Sequence, residues 1–258
     1  MKVVILAGGL PSIIGEENEK MPKPMVQIGE RPILWHIMKL FSYYGFVDFI
    51  ICTGYKSDVI KDYFLNYYIY QSDITVHLKT NEVEVHNRIT ENWNVSIVNT
   101  GLEASTGERL RIVAPMLDED FVVTYGDCVS DIDVPKLMDL HRVSGKMMTV
   151  ALARPTGRNA IIPTNDEGEI SLAAAYKHLD GNAWVNACMM AVNPAVFTDD
   201  GYPGGRFEED VMHYLAVRGE VNTYRHEGFW LPVETVRDRV QLQQMWDAGN
   251  APWRVWND

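Results

Sequence analysis

The residues of this chain best suited to chemistry lie near its start. An apolar segment of strand length, residues 3–6, ends in the pair Gly8-Gly9, and Lys23 follows between two prolines. Backbone N–H groups of a glycine turn and a nearby ammonium group suit anionic oxygens. The pattern predicts a nucleotide-phosphate site at Gly8, Gly9 and Lys23. For the glycine pair alone, an ordinary strand followed by a turn remains an equal alternative.

A second candidate, Asp127, follows the apolar segment 121–124 in Tyr-Gly-Asp, although an isolated Gly-Asp is also typical of a turn. Strand-like and helix-like segments alternate around both candidates. This order predicts an α/β fold: a mostly parallel twisted sheet with helices on both faces. In such sheets ligands bind at the carboxyl ends of strands, where the glycine pair and Asp127 both fall. Strands are predicted at 3–6, 47–52, 95–98, 121–124 and 148–153. Helices are predicted at 32–44, 106–114 and 134–143, and a further helix is predicted to begin at Ser57, which would serve as its cap.

Two regions depart from this alternation. Residues 69–92 are polar with alternating apolar positions, which predicts a projecting hairpin. Residues 160–191 are predicted to form short strands and turns, with a helix at about 207–217. A C-terminal helix is predicted at 235–248, with Trp246, Trp253 and Trp256 as packing residues.

Composition excludes several functions. The 258 residues carry a net charge of −12, which opposes binding to nucleic acid or an anionic membrane. No apolar run approaches the ~20 residues of a membrane span, and the start of the chain is interpreted as a strand, not a signal peptide. Three widely spaced cysteines, Cys52, Cys128 and Cys188, predict buried thiols in a protein of the reducing cytoplasm.

Motifs along nearly the whole chain resemble those of the sugar-phosphate nucleotidylyltransferases, and most closely the glucose-1-phosphate cytidylyltransferases. The matching segments occur in the family's order. They are Lys23-Pro24-Met25-Val26, residues 31–39, Thr53-Gly54-Tyr55-Lys56, Thr106-Gly107-Glu108-Arg109-Leu110, Tyr125-Gly126-Asp127, Thr235-Val236-Arg237-Asp238 and Ala251-Pro252-Trp253.

The resemblance implies a Rossmann-like single domain at 1–258, with a nucleotide-binding core at about 1–155, a small β-rich acceptor-binding part at about 156–234 and a C-terminal helix at 235–258. It implies transfer of CMP from CTP to a phosphorylated acceptor, either like glucose 1-phosphate or not a hexose phosphate, with release of pyrophosphate. It also implies a homo-oligomer in which the hairpin helps subunits associate. An ordinary exposed hairpin is the alternative.

The resemblance also assigns roles to individual residues. Mg²⁺ would be held by Asp127 and Glu234, although Glu234 could merely occupy a helix start. Lys23 would contact the nucleotide phosphates and Lys177 the acceptor phosphate. Base recognition would involve Leu6, Ala7, Thr106 and Gly107. Acceptor binding would involve Asn186 and Glu208, but Glu208 and Glu209 could equally form a solvated helix start.

Departures from the family pattern fall around the expected site. In the loop at 8–14, Pro11 replaces a glycine and Ile13 an arginine that would clamp pyrophosphate. Arg109 or Arg111 could supply the lost charge, or either could be an exposed helix arginine. Cys128 replaces a glycine, Glu234 an aspartate, and Ala187-Cys188 two glycines.

These departures leave alternatives open. The leading interpretation is an active cytidylyltransferase with an unusual acceptor. A non-catalytic or weakly active protein that binds nucleotide or nucleotide-sugar is the alternative. A nucleotide-sugar glycosyltransferase, suggested only by Asp131-Ile132-Asp133, is the least favoured.

Overall fold

The protein is built on one seven-stranded sheet. The computed structural model describes residues 1–9, 21–86, 90–155 and 183–256. The sheet strands are β1 (Lys2–Ala7), β4 (Asp48–Thr53), β7 (Asn94–Asn99), β8 (Phe121–Tyr125), β10 (Met148–Ala153), β11 (Val185–Val192) and β12 (Val221–Arg225). Their order is β12-β10-β11-β8-β1-β4-β7. Only β11 runs antiparallel to its neighbours β8 and β10, so the predicted, mostly parallel sheet is confirmed.

The helices cover both faces of this sheet. They are α1 (Ile33–Tyr43), α2 (Ser57–Leu65), α3 (Tyr67–Tyr70), α4 (Thr106–Val113), α5 (Val134–Ser144), α6 (Met212–Val217) and α7 (Val236–Asp247). Side chains of β1 alternate between two cores, with Val3 and Ile5 on one face and Val4 and Leu6 on the other. Helices α1, α2, α5 and α7 pack on the first face, and α4 and α6 on the second.

Three further strand pairs complete the described fold: β2 (Gln27–Ile28) with β3 (Arg31–Pro32), β5 (Asp73–His77) with β6 (Glu82–His86), and β9 (Cys128–Ser130) with β13 (Trp230–Pro232). The predicted projecting hairpin is β5–β6, whose residues are mostly exposed. The pair β9–β13 was not predicted, and it joins two segments about a hundred residues apart in sequence.

The predicted helix positions hold to within a few residues, but one predicted cap is wrong. Ser57 does not cap α2, because the N-cap is Lys56 at φ 47 and the Ser57 hydroxyl is bonded to that of Thr53 at 2.7 Å. The hydroxyl is therefore used to fix the end of β4. In the described residues, no helix is long and apolar enough to cross a membrane.

The topology brings the carboxyl ends of β1, β4, β7 and β8 to one edge of the sheet. Because β11 runs antiparallel to β8, its first residues lie at the same edge. Of the residues that the sequence analysis selected for chemistry, Leu6, Ala7, Gly8, Gly9 and Asp127 lie at these strand ends, and Asn186 lies near the start of β11. The other selected residues within the described ranges lie on α4, beside α6, just before α7 or, for Lys23, in the turn Lys23–Met25.

Candidate active site

A cleft of about 720 Å³ opens at this edge of the sheet. It brings together most of the predicted nucleotide residues with Asp127 and Glu208. The lining residues are Leu6, Ala7, Gly8, Gly9, Lys23, Pro24, Leu102, Glu103, Ala104, Ser105, Thr106, Arg109, Tyr125, Asp127, Arg206, Glu208 and Glu209.

An ion pair between Lys23 and Asp127 lies in the cleft. The Lys23 ammonium is 3.4 Å from Asp127 Oδ2, and the side chains are 20% and 28% exposed. Lys23 opens the 3₁₀ turn Lys23–Met25, and Asp127 follows β8. The intervening Gly126 donates its N–H to the Leu6 carbonyl, and a Cβ there would meet Pro24 at 2.8 Å. The glycine therefore lets the two loops that carry the ion pair pack directly together.

The residue before the other predicted metal ligand, Glu234, is tied to Asp127 through the backbone, whereas Glu234 itself lies outside the cleft lining. The N–H of Val233 donates to the Asp127 carbonyl oxygen at 2.8 Å, where β13 pairs with β9. The helix that follows is capped by Thr235 and Asp238 in a reciprocal capping box, and Asp238 also accepts from the Glu234 N–H. Capping of α7 therefore does not require the Glu234 carboxylate, which is exposed.

Arg109 has a different role from the one expected of an exposed helix arginine. It is 3% exposed, and its two terminal nitrogens donate to five oxygens at the ends of three strands. The acceptors are the carbonyls of Gly8, Thr53, Gly101 and Leu102 and the hydroxyl of Thr100, at 2.6–3.3 Å. Burial lowers the pKa of this guanidinium. Arg109 thus joins the ends of β1, β4 and β7 and adds a buried positive charge behind the cleft.

The two glycines after β1 differ in their surroundings. A Cβ on Gly8 would lie 2.2 Å from an Arg109 nitrogen and 2.9 Å from the backbone nitrogen of Gly54. A Cβ on Gly9 would have no atom of the described residues within 4 Å, and Gly9 lines the cleft. Gly8 is therefore needed for packing, whereas Gly9 leaves room for a ligand.

The other wall is formed by the start of α4 and the segment before α6. The Thr106 hydroxyl donates to Glu208 at 2.7 Å and accepts from the Phe207 N–H. Burial raises the pKa of the Glu208 carboxyl. Gly107 does not line the cleft: its N–H donates to the Gly205 carbonyl, which a Cβ on Gly107 would approach to 2.5 Å.

The remaining site residues named from sequence are more dispersed. Arg111 is exposed on α4 and lies outside the cleft lining. Asn186 is in β11, where its side-chain oxygen accepts the Cys188 N–H at 2.9 Å. Lys177, Pro11 and Ile13 lie outside the described residues, as does most of the segment expected at 160–191.

Sequence reasoning missed several features of the cleft. Ser105 and Glu108 form a capping box at the start of α4, and this Ser-x-x-Glu spacing was visible in the sequence. Tyr125 and Arg206 also line the cleft; Tyr125 belongs to the Tyr125-Gly126-Asp127 motif, whereas no local signal reveals Arg206.

Both aspartates of the Asp131-Ile132-Asp133 motif have structural roles. Asp131 accepts from the Phe229 N–H at 2.6 Å and pairs with His226 at 2.9 Å. Asp133 caps α5 by accepting the Lys136 N–H at 3.0 Å. These contacts remove the only support for the glycosyltransferase interpretation.

Comparison with known proteins places the chain in a family. A family model described as nucleotidyl transferase matches residues 2–160. Glucose-1-phosphate cytidylyltransferase of Salmonella typhimurium is 43% identical over 258 residues, covering 99% of this chain and 100% of the relative. A probable glucose-1-phosphate cytidylyltransferase of Bacillus subtilis is 33% identical with the same coverage.

Solved structures share the fold of this chain. HddC from Yersinia pseudotuberculosis superposes with a TM-score of 0.75 at 18% identity, covering 95% of this chain and 99% of the other. A putative glucose-1-phosphate thymidylyltransferase from Bacillus anthracis gives a TM-score of 0.70 at 16% identity, covering 100% of this chain and 96% of the other. The chain therefore belongs to the nucleotidyl transferase family, and it is similar over its full length to the glucose-1-phosphate cytidylyltransferases.

Proposed function

We infer that the protein is a cytidylyltransferase that transfers CMP from CTP to a sugar phosphate and releases pyrophosphate. The observation that carries this inference is the Lys23–Asp127 pair beside Gly8 and Gly9, in a cleft at the carboxyl ends of β1 and β8. The full-length similarity to cytidylyltransferases supports CTP as the nucleotide. The geometry by itself supports binding of a nucleotide but does not distinguish the base.

The reaction requires charge neutralisation and alignment more than covalent chemistry. An oxygen of the acceptor phosphate attacks the α-phosphorus of CTP, and the bond from that phosphorus to the pyrophosphate oxygen breaks. Lys23 is positioned to bind the triphosphate and to stabilise the charge that develops on it. The open space at Gly9 allows a phosphate to approach the backbone closely.

We assign a divalent metal ion, Mg²⁺, to Asp127 and Glu234. Among the described residues, no group of three or more His, Cys, Asp or Glu side chains is arranged for a metal. Mg²⁺ is commonly bound by one or two carboxylates together with substrate phosphates and water, and Asp127 in the cleft, with Glu234 just before α7, offers donors of that type. When bound, the ion would neutralise phosphate charge and orient the phosphates.

The buried Arg109 supports nucleotide binding indirectly. Its partners are neutral oxygens, so an anion in the cleft would compensate its charge without displacing it. Because both terminal nitrogens already donate to the protein, Arg109 is poorly suited to replace the bidentate clamp missing at Ile13. Arg206 lines the same cleft and is the better candidate among the described residues, although it also pairs with Glu209 at 2.9 Å.

The acceptor is proposed to bind beside Asp127, towards β11. Asn186 lies at the same sheet edge, and Glu208 reaches the cleft from the opposite wall. Lys177 is proposed for the acceptor phosphate by resemblance alone. The domain division at about residues 155 and 234 follows from the same assignment.

Self-association through the β5–β6 hairpin is also proposed. Ile74, Val76, Leu78 and Val83 expose 42–89% of their surface there, which is unusual for so many apolar side chains on one short hairpin. Light scattering coupled to size exclusion should give a mass above the 29.4 kDa of one chain. Replacing Leu78 and Val83 by aspartate should reduce the measured mass.

The assay that tests the proposed function is pyrophosphate release. CTP, UTP, dTTP and GTP are each supplied with Mg²⁺ and a panel of phosphorylated acceptors that includes glucose 1-phosphate. Release with CTP and one acceptor supports the proposal. Stabilisation by CTP without release from any acceptor would instead favour the non-catalytic alternative.

A further inference from the structure

Two arginines stack on one buried tryptophan near the proposed acceptor side of the cleft. The guanidinium carbon of Arg154 lies 4.1 Å from the centroid of the Trp184 ring, and that of Arg225 lies 5.5 Å from it. Trp184 is 4% exposed, whereas both arginines are exposed. The ring therefore holds two positive charges at the protein surface.

The strand order explains why these three side chains meet. Arg154 directly follows β10, Trp184 directly precedes β11, and Arg225 ends β12. Ala153 is paired with Val185 in the antiparallel β10–β11 ladder, so the next residue along places Arg154 opposite Trp184. Strand β12 pairs with β10 in parallel, and both run parallel to β8. All three side chains therefore lie at the edge of the sheet where the cleft opens.

These side chains also share a face of the sheet with the cleft wall formed by α4. Trp184 packs in the same core as Leu6 and Leu152. Side chains alternate along a strand, so Arg154 lies on the face of Leu152, two residues before it. Asn186, proposed for the acceptor, lies two residues after Trp184, which is about 7 Å along β11. The arginines thus continue the proposed acceptor side beyond the lining of the cleft.

The stacked arrangement suits the binding of an anion. Stacking uses the flat face of a guanidinium group, whereas its N–H donors lie in the plane and match two oxygens of a carboxylate or a phosphate. Two like charges held on one ring repel each other, and an anion against both relieves that repulsion. The arginines are two and three strands away from the strand that Asp127 follows, about 10–14 Å. An acceptor that carried a second anionic group far from its reacting phosphate would extend in this direction.

We propose that Arg154 and Arg225 bind a second anionic group of the acceptor, a carboxylate or a phosphate. The preferred acceptor is then a sugar phosphate that carries such a group on the far side of its ring. The effect on turnover rests on the proposed function, whereas binding of the acceptor does not require turnover. Because the two arginines do not reach the reacting phosphorus, they act on the affinity for the acceptor and so on KM more than on kcat.

The test compares three acceptors in the pyrophosphate assay with CTP and Mg²⁺. Glucose 1-phosphate lacks a second anionic group, glucuronic acid 1-phosphate adds a carboxylate, and glucose 1,6-bisphosphate adds a phosphate. The wild type should use at least one of the last two with a kcat/KM about 10- to 150-fold above that for glucose 1-phosphate, mainly through a lower KM. Whichever of the two is preferred identifies the second group. Equal kcat/KM values for all three acceptors would overturn the proposal.

Methionine substitutions separate the charge of the arginines from their packing. Arg154→Met and Arg225→Met keep an apolar side chain over Trp184, and each should reduce the preference for the second anionic group, with the double variant losing it. Arg218→Met is the matched control, because Arg218 stacks on Tyr214 at 5.1 Å but precedes β12, at the opposite edge of the sheet. This control should keep the full preference. A lower melting temperature with the preference intact in the double variant would mean that the arginines only cover the ring, and would overturn the proposal.

Thermal melts without CTP separate failure of this inference from failure of the proposed function. The preferred acceptor should raise the melting temperature of the wild type more than glucose 1-phosphate does at the same concentration, and the double variant should lose the excess. If no acceptor gives pyrophosphate, the proposed function fails, and the melts with glucuronic acid 1-phosphate and glucose 1,6-bisphosphate decide this inference alone. An excess that the double variant loses would then still support an anion site at the two arginines. Equal stabilisation of the wild type by all three ligands would refute it.

Discussion

The proposed nucleotide side and the proposed acceptor side of the cleft are built differently. On the nucleotide side, Arg109 joins the ends of three parallel strands, and Lys23 pairs with Asp127 at the end of a fourth. On the acceptor side, antiparallel β11 carries a bulge at Cys188. Departures from the family pattern occur on both sides, and those at Ala187 and Cys188 coincide with the bulge in β11.

This difference in construction indicates which part of the site can change without disturbing the fold. Arg109 is bonded to five backbone or hydroxyl oxygens, so a change there would disturb three strand ends at once. A bulge in β11 alters one strand and leaves the parallel strands in register. We therefore expect the choice of CTP as the nucleotide to follow the family and the choice of acceptor to differ from it.

The largest effect is expected for Asp127→Asn. The substitution keeps the side-chain shape but removes the charge proposed to hold the metal. Turnover should fall by roughly 10²–10³-fold while the melting temperature stays near that of the wild type. Steady-state kinetics and a thermal melt measure both. Asp118→Asn is the control, since this carboxylate is 82% exposed and pairs with Lys2 far from the cleft. Near-normal turnover in Asp127→Asn would remove the residue from the catalytic site.

A second substitution, Arg109→Met, tests whether the buried guanidinium supports the nucleotide side. It leaves several buried carbonyls without a donor and should destabilise the fold by about 3 kcal/mol. For a chain of this size, that corresponds to a fall of roughly 6–12 °C in the melting temperature. Arg111→Met, two residues away and exposed, should change stability by less than about 0.5 kcal/mol. Equal losses in the two variants would contradict the role assigned to Arg109.

The altered glycine loop provides a third test. Charge-assisted hydrogen bonds of the kind an arginine clamp makes contribute about 1.5–3 kcal/mol each, so the isoleucine at position 13 should weaken triphosphate binding by roughly 10- to 150-fold. Ile13→Arg should therefore lower the dissociation constant for CTP, measured by calorimetry. Micromolar CTP binding by the wild type would instead mean that another cation, such as Arg206, already supplies the missing charge.

Smaller effects are expected for alanine substitutions at Gly8 and Gly9, and they should differ from each other. Gly8→Ala should lower stability by about 1–2 kcal/mol, because its Cβ would displace Arg109 and approach the Gly54 backbone. In Gly9→Ala the new methyl group meets no atom of the described part of the chain, so the substitution should leave the melting temperature unchanged and weaken CTP binding only. If Gly9→Ala also leaves CTP binding unchanged, the nucleotide does not approach the chain at Gly9.

Much of the fold could be predicted from sequence because its signals are local. The apolar segment of β1 and the helical periodicity of α1 identify those elements without tertiary information. The family motifs then selected Lys23 and Asp127, which the structure brings within 3.4 Å.

The features that could not be predicted from the sequence depend on contacts between residues that are distant in the chain. The pairing of β9 with β13, which ties Asp127 to Val233, has no local pattern in three-residue strands. Whether Arg109 is exposed or buried could not be decided from its helix, because its acceptors lie at the ends of three other elements. The bulge at Cys188 likewise arises from the register of β11 against β10.

The central claim is that this cleft transfers a cytidylyl group. Its most direct test is pyrophosphate release by the wild type and Asp127→Asn, each supplied with CTP, Mg²⁺ and glucose 1-phosphate or another acceptor of the panel. A thermal melt with millimolar CTP is recorded in parallel, since a ligand that binds only the native state raises the melting temperature. The account predicts CTP-dependent release by the wild type, little by the variant, and stabilisation of the wild type by CTP with Mg²⁺. Absence of both release and stabilisation with every nucleotide would contradict it.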